Sequence, residues 1–300
     1  MANRVYFASQ GLSVSGTTVE GAQSVGISIN YSLEQAFQLG RLAVYDNIVT
    51  DGEVTITASK NLDGNSTMFG LMGGGNVGSY GDTRVPIVVA SNTDESALAL
   101  ETGSQTVTTM TGCYLSSLSY TFPSDGFATE EISWITDNKS TEGTVNPPTA
   151  TAADNAYRHH VSWSGVHESE NVTNISISTD LGREAMFKLG NFRPYHRFAN
   201  FPFEVTVEFT VANTTVDTSV VNLDGVTCTG LGDLPSQQTI TVYVCDSNQD
   251  SADPGYTFTM SGCRLSAVAQ DGGDTGGGNA STTYTYTTYN TLDVAESLAS

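Results

Sequence analysis

Glu204-Val205-Thr206-Val207-Glu208-Phe209-Thr210 alternates polar and apolar side chains with a period of two. Successive side chains of a strand point to opposite faces, so this stretch predicts a half-buried β-strand with Val205, Val207 and Phe209 inward. The same alternation runs through Val54-Thr55-Ile56-Thr57, Thr239-Ile240-Thr241-Val242-Tyr243-Val244 and Thr283-Tyr284-Thr285-Tyr286. Short strands with turn residues between them imply a mainly β chain of antiparallel β-sandwich or barrel packing. Helix signals are few. Asn92 to Glu101 has a polar start that would cap a short flanking helix ahead of Gly103. Gly70 to Gly81 and Gly272 to Gly278 read as flexible loops, and the tail from Leu292 as a short helix or a frayed end.

The strand at Glu204 has a counterpart in Glu53-Val54-Thr55-Ile56, and the likeness spreads outward from it. Glu184-Ala185-Met186-Phe187-Lys188-Leu189-Gly190 answers Glu34-Gln35-Ala36-Phe37-Gln38-Leu39-Gly40, an offset of 150. Met260-Ser261-Gly262-Cys263 answers Met110-Thr111-Gly112-Cys113 at the same offset of 150. Ile27-Ser28-Ile29 faces Ile177-Ser178-Thr179 likewise, and Ala128, Ile132, Trp134 and Asn138 face Ala280, Tyr284, Tyr286 and Asn290 after a shift to 152. Separated matches at one offset predict two tandem copies of one domain, residues 1–140 and 155–300. The stretch from Asp137 to Asp154, around Pro147-Pro148, offers no apolar face to bury; residues 141–154 read as the linker.

Composition narrows the function classes. The formal charge is −21, from 32 acidic against 11 basic side chains. Grip on DNA or RNA depends on basic groups displacing counterions from phosphates, so this balance argues against it, though not against DNA passing nearby. Charged residues make up only 14% of the chain, which speaks against halophilic adaptation as the source of the acidity. Met1 to Gln10 has no apolar core long enough for a secretory signal and no window approaches a membrane span, so the expectation is a cytosolically made chain. Cys113 and Cys263 fall at equivalent places and read as reduced, packed thiols; Cys228 and Cys245 flank a turn-rich stretch where a hairpin disulfide is the alternative.

Motifs with chemistry are sparse. Gly73-Gly74-Gly75-Asn76-Val77-Gly78 lacks the Gly-Lys-Ser/Thr ending of a phosphate loop and reads as surface loop. Asp246, Asn248, Asp250 and Asp253 have a spacing compatible with a hard cation, but Ser251 and Thr257 stand where a helix-loop-helix calcium site needs Gly and Glu, so a solvated turn is the reading. Of His159, His160, His167 and His196, three lie near Trp163 without any His-Glu-x-x-His or Cys-x-x-Cys. No Gly-x-Ser-x-Gly elbow is present, and Asn65-Ser66-Thr67 and Asn171-Val172-Thr173 follow from an Asn-rich, Thr-rich composition. The expectation is a protein that is not an enzyme and needs no cofactor or metal.

Arg183-Glu184-Ala185-Met186-Phe187-Lys188-Leu189-Gly190, then Pro194-Tyr195, Arg197-Phe198 and Phe201-Pro202-Phe203-Glu204-Val205-Thr206-Val207, resembles a segment of tailed-phage tail tube proteins. Leu118-Ser119-Tyr120-Thr121-Phe122-Pro123-Ser124-Asp125-Gly126, followed by Glu130-Glu131 and Trp134, carries the same resemblance. The first half departs from it: Leu33 replaces Arg183, Val44-Tyr45 replaces Pro194-Tyr195, and Asp51-Gly52-Glu53 replaces Phe201-Pro202-Phe203. The resemblance implies a virion tail structural protein, assembled in the host cytoplasm, whose rings stack into a conduit for the genome. It implies partners too: further copies of itself, other tail proteins such as a sheath, baseplate or terminator, and DNA that passes without specific binding. Phe37, Leu39, Gly40, Arg183, Phe187, Leu189, Gly190, Tyr195, Arg197, Phe198 and Phe203 would then be packing or assembly contacts. On the residues alone Phe187, Leu189, Phe198 and Phe203 are buried core, with Arg183 or Arg197 pairing locally. A carbohydrate-binding or adhesive sandwich, with Tyr284, Tyr286 and Tyr289 stacking on sugars, is the alternative from another class, and a baseplate or hub component is a closer one.

Overall fold

The structure, a computed structural model, describes residues 9–42, 44–93, 99–101, 103, 105–148, 155–212, 236–245, 254–272 and 280–297. Its strands in the first half are β1 (Gln10–Val14), β2 (Thr17–Thr18), β3 (Ala22–Phe37), β4 (Val44–Asn61), β5 (Gly75–Asn76), β6 (Arg84–Asn92), β7 (Gln105–Pro123) and β8 (Thr129–Thr136). The second half holds β9 (Val161–Ser164), β10 (Val172–Asp180), β11 (Glu184–Met186), β12 (His196–Phe198), β13 (Glu204–Ala212), β14 (Gln238–Cys245), β15 (Pro254–Asp271), β16 (Ser281–Tyr289) and β17 (Leu292–Glu296). The alternating stretches read from the sequence are all strands. One helical turn, α1 (Met68–Leu71), and two short 3-10 turns at Val77–Tyr80 and Arg158–His160 complete the described residues. No described helix is long and apolar enough to cross a membrane.

Both halves order their strands alike. In the first, the ladder runs β3-β4-β8-β7-β6-β1; in the second, β10-β13-β16-β15-β14-β9, every pair antiparallel. Registers agree as well: Gln35 pairs with Asn47 and Ala185 with Arg197, while Ala36 pairs with Asp46 and Met186 with His196. β7 then pairs with β10, from Pro123 opposite Asn174 to Ser117 opposite Asp180. That seam fuses the ladders into one 15-stranded antiparallel sheet, so the chain is sandwich-like and not a barrel. Of the two expected packings, sandwich or barrel, the barrel is not formed, and the reason is local. β7 and β15 are long, and each turns at a glycine in the left-handed region, Gly112 (φ 67°) and Gly262 (φ 76°), passing from one layer into the other. A residue with a Cβ is strained there, and a strand bent this way belongs to two layers without closing either on itself.

Other expectations are corrected in the same region. Gly70 to Gly81 is built rather than a flexible loop: it carries the end of α1, then β5, which pairs with β17, then a 3-10 turn. The segment from Leu292 is strand β17, held against β15, because Leu292 and Val294 alternate inward. Asn92 closes β6, and residues 94–98 of the expected helix lie outside the described residues. The expected linker is partly structured: Thr109 bridges to Ser140, and Val145 is buried with Ala90, Leu100 and Val107. Residues 149–154 of it lie outside the described set, as do Cys228, the loop 273–279 and the acidic turn 246–253. Cys113, Cys245 and Cys263 are free thiols.

One hydrophobic core serves both halves, with Tyr120 against Phe258 at 4.4 Å and Phe122 against Phe258 at 5.4 Å between ring centroids. A buried polar knot pins α1 to that core. Met68 N–H and Phe69 N–H donate to the two carboxylate oxygens of Glu130 at 2.6 and 3.1 Å, and the Tyr120 hydroxyl donates at 3.0 Å. Buried Lys60 pairs with Asp63 at 3.0 Å and donates to the Ser66 carbonyl, while Glu296 of the other half accepts from Thr67 N–H at 2.8 Å. Unpaired backbone donors at a helix start are costly in an apolar interior, and Glu130 satisfies two of them.

Burial pushes the Glu130 carboxyl up to about 7, against the pull of the Met68 and Phe69 amides, Tyr120 and Lys60. The folded protein therefore holds this proton more tightly than the unfolded chain, whose carboxyl titrates near 4.5. The associated stability is full below the unfolded value and is lost as pH rises through about 7. Urea unfolding at pH 5 and pH 8 should show the chain less stable at pH 8 by up to about 3 kcal/mol from this group. Glu130→Gln, which keeps an acceptor, should flatten that slope; an unchanged slope would remove Glu130 as its source.

Candidate assembly interface

The seam between the halves is the best-defined polar surface of the molecule. β11 and β12 form a short hairpin that leans from the second half onto the first, and three of its side chains hold it there. Arg183 donates from Nε to the Leu115 carbonyl at 2.6 Å and from Nη2 to the Tyr80 carbonyl at 3.0 Å, with its guanidinium 5.1 Å over the Tyr114 ring. Burial lowers its pKa to about 10, with Tyr114 and Asp82 pulling the other way, so it stays charged at neutral pH. Arg197, only 2% exposed, donates from Nε to Asp137 at 2.9 Å and from Nη1 to Glu53 at 2.9 Å. His196 lies between Asp82 at 2.9 Å, Arg84 at 2.9 Å and the Tyr114 hydroxyl at 3.1 Å. Both arginines thus reach residues far away in the sequence, where the residue-level expectation was local pairing. Planar guanidinium groups suit this place, since each satisfies several acceptors at once.

The aromatic and aliphatic residues of the repeated motif divide differently from the expected core. Phe203 is buried at the start of β13. Phe187, Leu189, Tyr195 and Phe198 are exposed on the β11–β12 hairpin, and so are Phe37 (67%) and Leu39 on its longer counterpart β3–β4. The alternation that flags core residues fails here because the β3–β4 arm is exposed on both faces towards its tip, and the β11–β12 hairpin packs one face on the first half through His196 and Arg197 while Phe187, Leu189 and Phe198 stay outside. Gly40 (φ 85°) and Gly190 (φ 87°) close the two tips, which share one turn: Arg41 N–H bonds to Gln38 and Asn191 N–H to Lys188, each at 3.2 Å. Tyr31, Leu33, Leu42, Val44, Tyr45, Ile48 and Val49 add to the exposed apolar surface of the long arm.

Across the seam runs an unbroken succession of eight antiparallel strands, β3-β4-β8-β7-β10-β13-β16-β15. One face packs on the core through Ile56, Ile132, Leu118, Ile177, Val205 and Val207. The other carries, over β3, β4, β8, β7, β10 and β13, an open trough of about 620 Å³ lined by serines and threonines with Glu131, Asp180 and Glu204, and by Ala58, Leu118 and Ile132. No Lys or Arg lines it. Among the described residues β3 pairs only with β4, and Arg264 to Ala269 of β15 pair only with β16, so the succession ends in an open edge on each side.

The remaining sequence candidates lie elsewhere. His159 and His160 touch each other, while His167 packs on Tyr284 and accepts or donates at Tyr286 (2.8 Å), so the histidines do not converge. The described residues hold no group of three or more His, Cys, Asp or Glu placed for a metal. Of the three tyrosines considered for sugar stacking, Tyr284 and Tyr286 are buried and Tyr289 is exposed, so these three do not form a shared platform. Sequence reading missed the trough, although the Ser and Thr partners of the alternating strands are its signal. The chain matches no protein-family model, and no curated protein matches it in sequence.

Arg197→Ala should lower the unfolding free energy by about 2 kcal/mol, since it strands the mostly buried Asp137; Glu53, more than a third exposed, adds little. Arg193→Ala, which loses one exposed bond to Asn138, should stay within ~0.5 kcal/mol. Equal costs in urea titrations would show that Arg197 does not hold the seam.

Proposed function

We propose that this chain is a tail tube subunit of a tailed phage, two tandem copies of one β domain, whose copies close into rings that stack into a conduit for DNA. The observation that carries the reading is the succession of eight strands with an open edge at each end and, from β3 to β13, a trough rich in hydroxyls and acids. An open edge is a row of unpaired backbone donors and acceptors, and a ring harmlessly uses up every edge by pairing it with the next copy. Contacts of this head-to-tail kind close when the rotation per copy divides a full turn. Three chains supply six domains, and a ring threefold by chain is then sixfold by domain.

Chemistry of the trough face fits a lumen. A duplex must slide without sticking, and each basic group on its path would trap phosphates by releasing counterions. Acids repel the duplex over about a Debye length, roughly 8 Å at physiological salt, while serine and threonine keep the wall wet. Glu131, Asp180 and Glu204 provide that charge, and Arg183 and Arg197 are turned into the seam instead. The exposed tips at Leu39 and Leu189 are assigned to contacts between stacked rings. The function in this reading is mechanical, with no reaction to catalyse.

Negative-stain images of the purified chain at high concentration should show end-on rings with threefold or sixfold averages and stacks of them. A chain that stays monomeric at every concentration would sink the tube. Rings whose inner wall maps to a net positive surface would remove the conduit chemistry.

A further inference from the structure

We infer that copies of this chain join by repeating the in-chain seam: β3 of one copy pairs with β15 of the next over Ala267–Ala269, and Asp46 meets the next copy's Arg264. The inference rests on the ring reading above and adds the register and the side chains of the joint. Its template is the pairing of β10 with β7, because β3 stands to β10 as β15 stands to β7. Glu34 pairs with Ile48 as Glu184 pairs with Phe198, which fixes the arm equivalence at 150 positions. Cys113 and Cys263 each donate a thiol to the carbonyl three residues earlier, Met110 or Met260, and both strands skip register one step later, at Leu115/Ser117 and Leu265/Ala267.

Burial shows what the seam covers and what the outer edges leave bare. Tyr114 and Leu118 of β7 are buried, whereas their equivalents Arg264 and Val268 are exposed and half-buried. Thr179 of β10 is 5% exposed and its equivalent Ile29 is 38% exposed, an apolar residue at the less protected position. Carrying the seam register over places Ile29 opposite Val268, from Thr179 opposite Leu118, and Ser28 opposite Ala269, from Ser178 opposite Ser119. The first is a β-branched pair of the kind that stabilises neighbouring strands.

Charge selects a second copy as the occupant. In the seam, His196 Nδ1 lies 3.1 Å from the Tyr114 hydroxyl. The same two positions on the outer edges hold Asp46 and Arg264, opposite in charge, both exposed, and in no ion pair among the described residues. Asn47 stands where the seam has Arg197, so the joint between copies lacks the buried guanidinium and depends on an exposed pair that salt screens. The joint is thereby the weaker of the two.

Sedimentation velocity on wild type, Asp46→Arg, Arg264→Asp and the double variant tests the ion pair, with negative-stain images alongside. Each single reversal should raise the concentration for half-assembly by at least ~10-fold, and the double should return it to within about threefold. All three should unfold at the wild-type urea midpoint, both positions being exposed. Ser28→Cys with Ala269→Cys tests the register: mild oxidation should give covalent ladders of dimers and larger species, and neither single variant should. Particles that assemble normally with a single reversal, or a double that recovers nothing, overturn the Asp46–Arg264 contact. Assembled particles without ladders overturn the register while the ring reading stands. A wild-type chain with no assembly at any concentration overturns both.

Discussion

Everything in this molecule depends on the requirement that strand backbones find partners. The ladder between β7 and β10 meets that requirement inside the chain, and in doing so turns two sets of strands into one sheet. The two layers are not separate modules either, because β7 and β15 turn at Gly112 and Gly262 and run through both. Backbone pairing therefore fixes the architecture before side chains refine it. It also fixes what is left over: an edge on β3 and another on β15, equivalent by position to the two edges already joined.

Side chains then reinforce the joined edges and leave the others bare. At the seam, Arg183 and Arg197 reach carbonyls and carboxylates of the first half, and burial makes those contacts costly to break. At the equivalent places on the long arm stand Leu33 and Asn47, which make no such contacts among the described residues. The joined boundary lies inside the chain and holds buried charge, and under the proposed assembly the outer one would form between separate molecules, where apolar and exposed charged residues allow reversible association. The departures of the first half from the second fall at these positions.

The buried knot around Glu130 shows a second way in which the halves are locked. Glu130 and Lys60 come from β8 and β4, Glu296 from β17, and the short turn α1 is held among them. A four-residue helix has too few internal bonds to persist alone, so carboxylates from two distant strands satisfy its first amides. Its presence is a consequence of packing and not of local propensity, which is why the glycine-rich stretch around it reads as loop until the fold is seen.

The sequence by itself determined the strands and their likeness. Period-two alternation placed β4, β13, β14 and β16, because a half-buried strand must alternate, and the matches around Phe37/Phe187 and Cys113/Cys263 set an equivalence that strand registers share. It named Arg183 and Arg197 as contacts or local pairs, and the partners they reach lie far away along the chain. Only the tertiary structure decided which apolar residues are core: Phe203 is buried while Phe187, Leu189 and Phe198 are exposed, since the β11–β12 hairpin packs its other face on the first half through His196 and Arg197. It decided, too, that Tyr284 and Tyr286 face the core and that Ser119, Ser178 and Glu131 share one open face. Alternation tells that two faces differ but not which strands lie side by side, and side-by-side placement depends on pairings such as Glu204 with Tyr289, 85 residues apart, which no local pattern encodes.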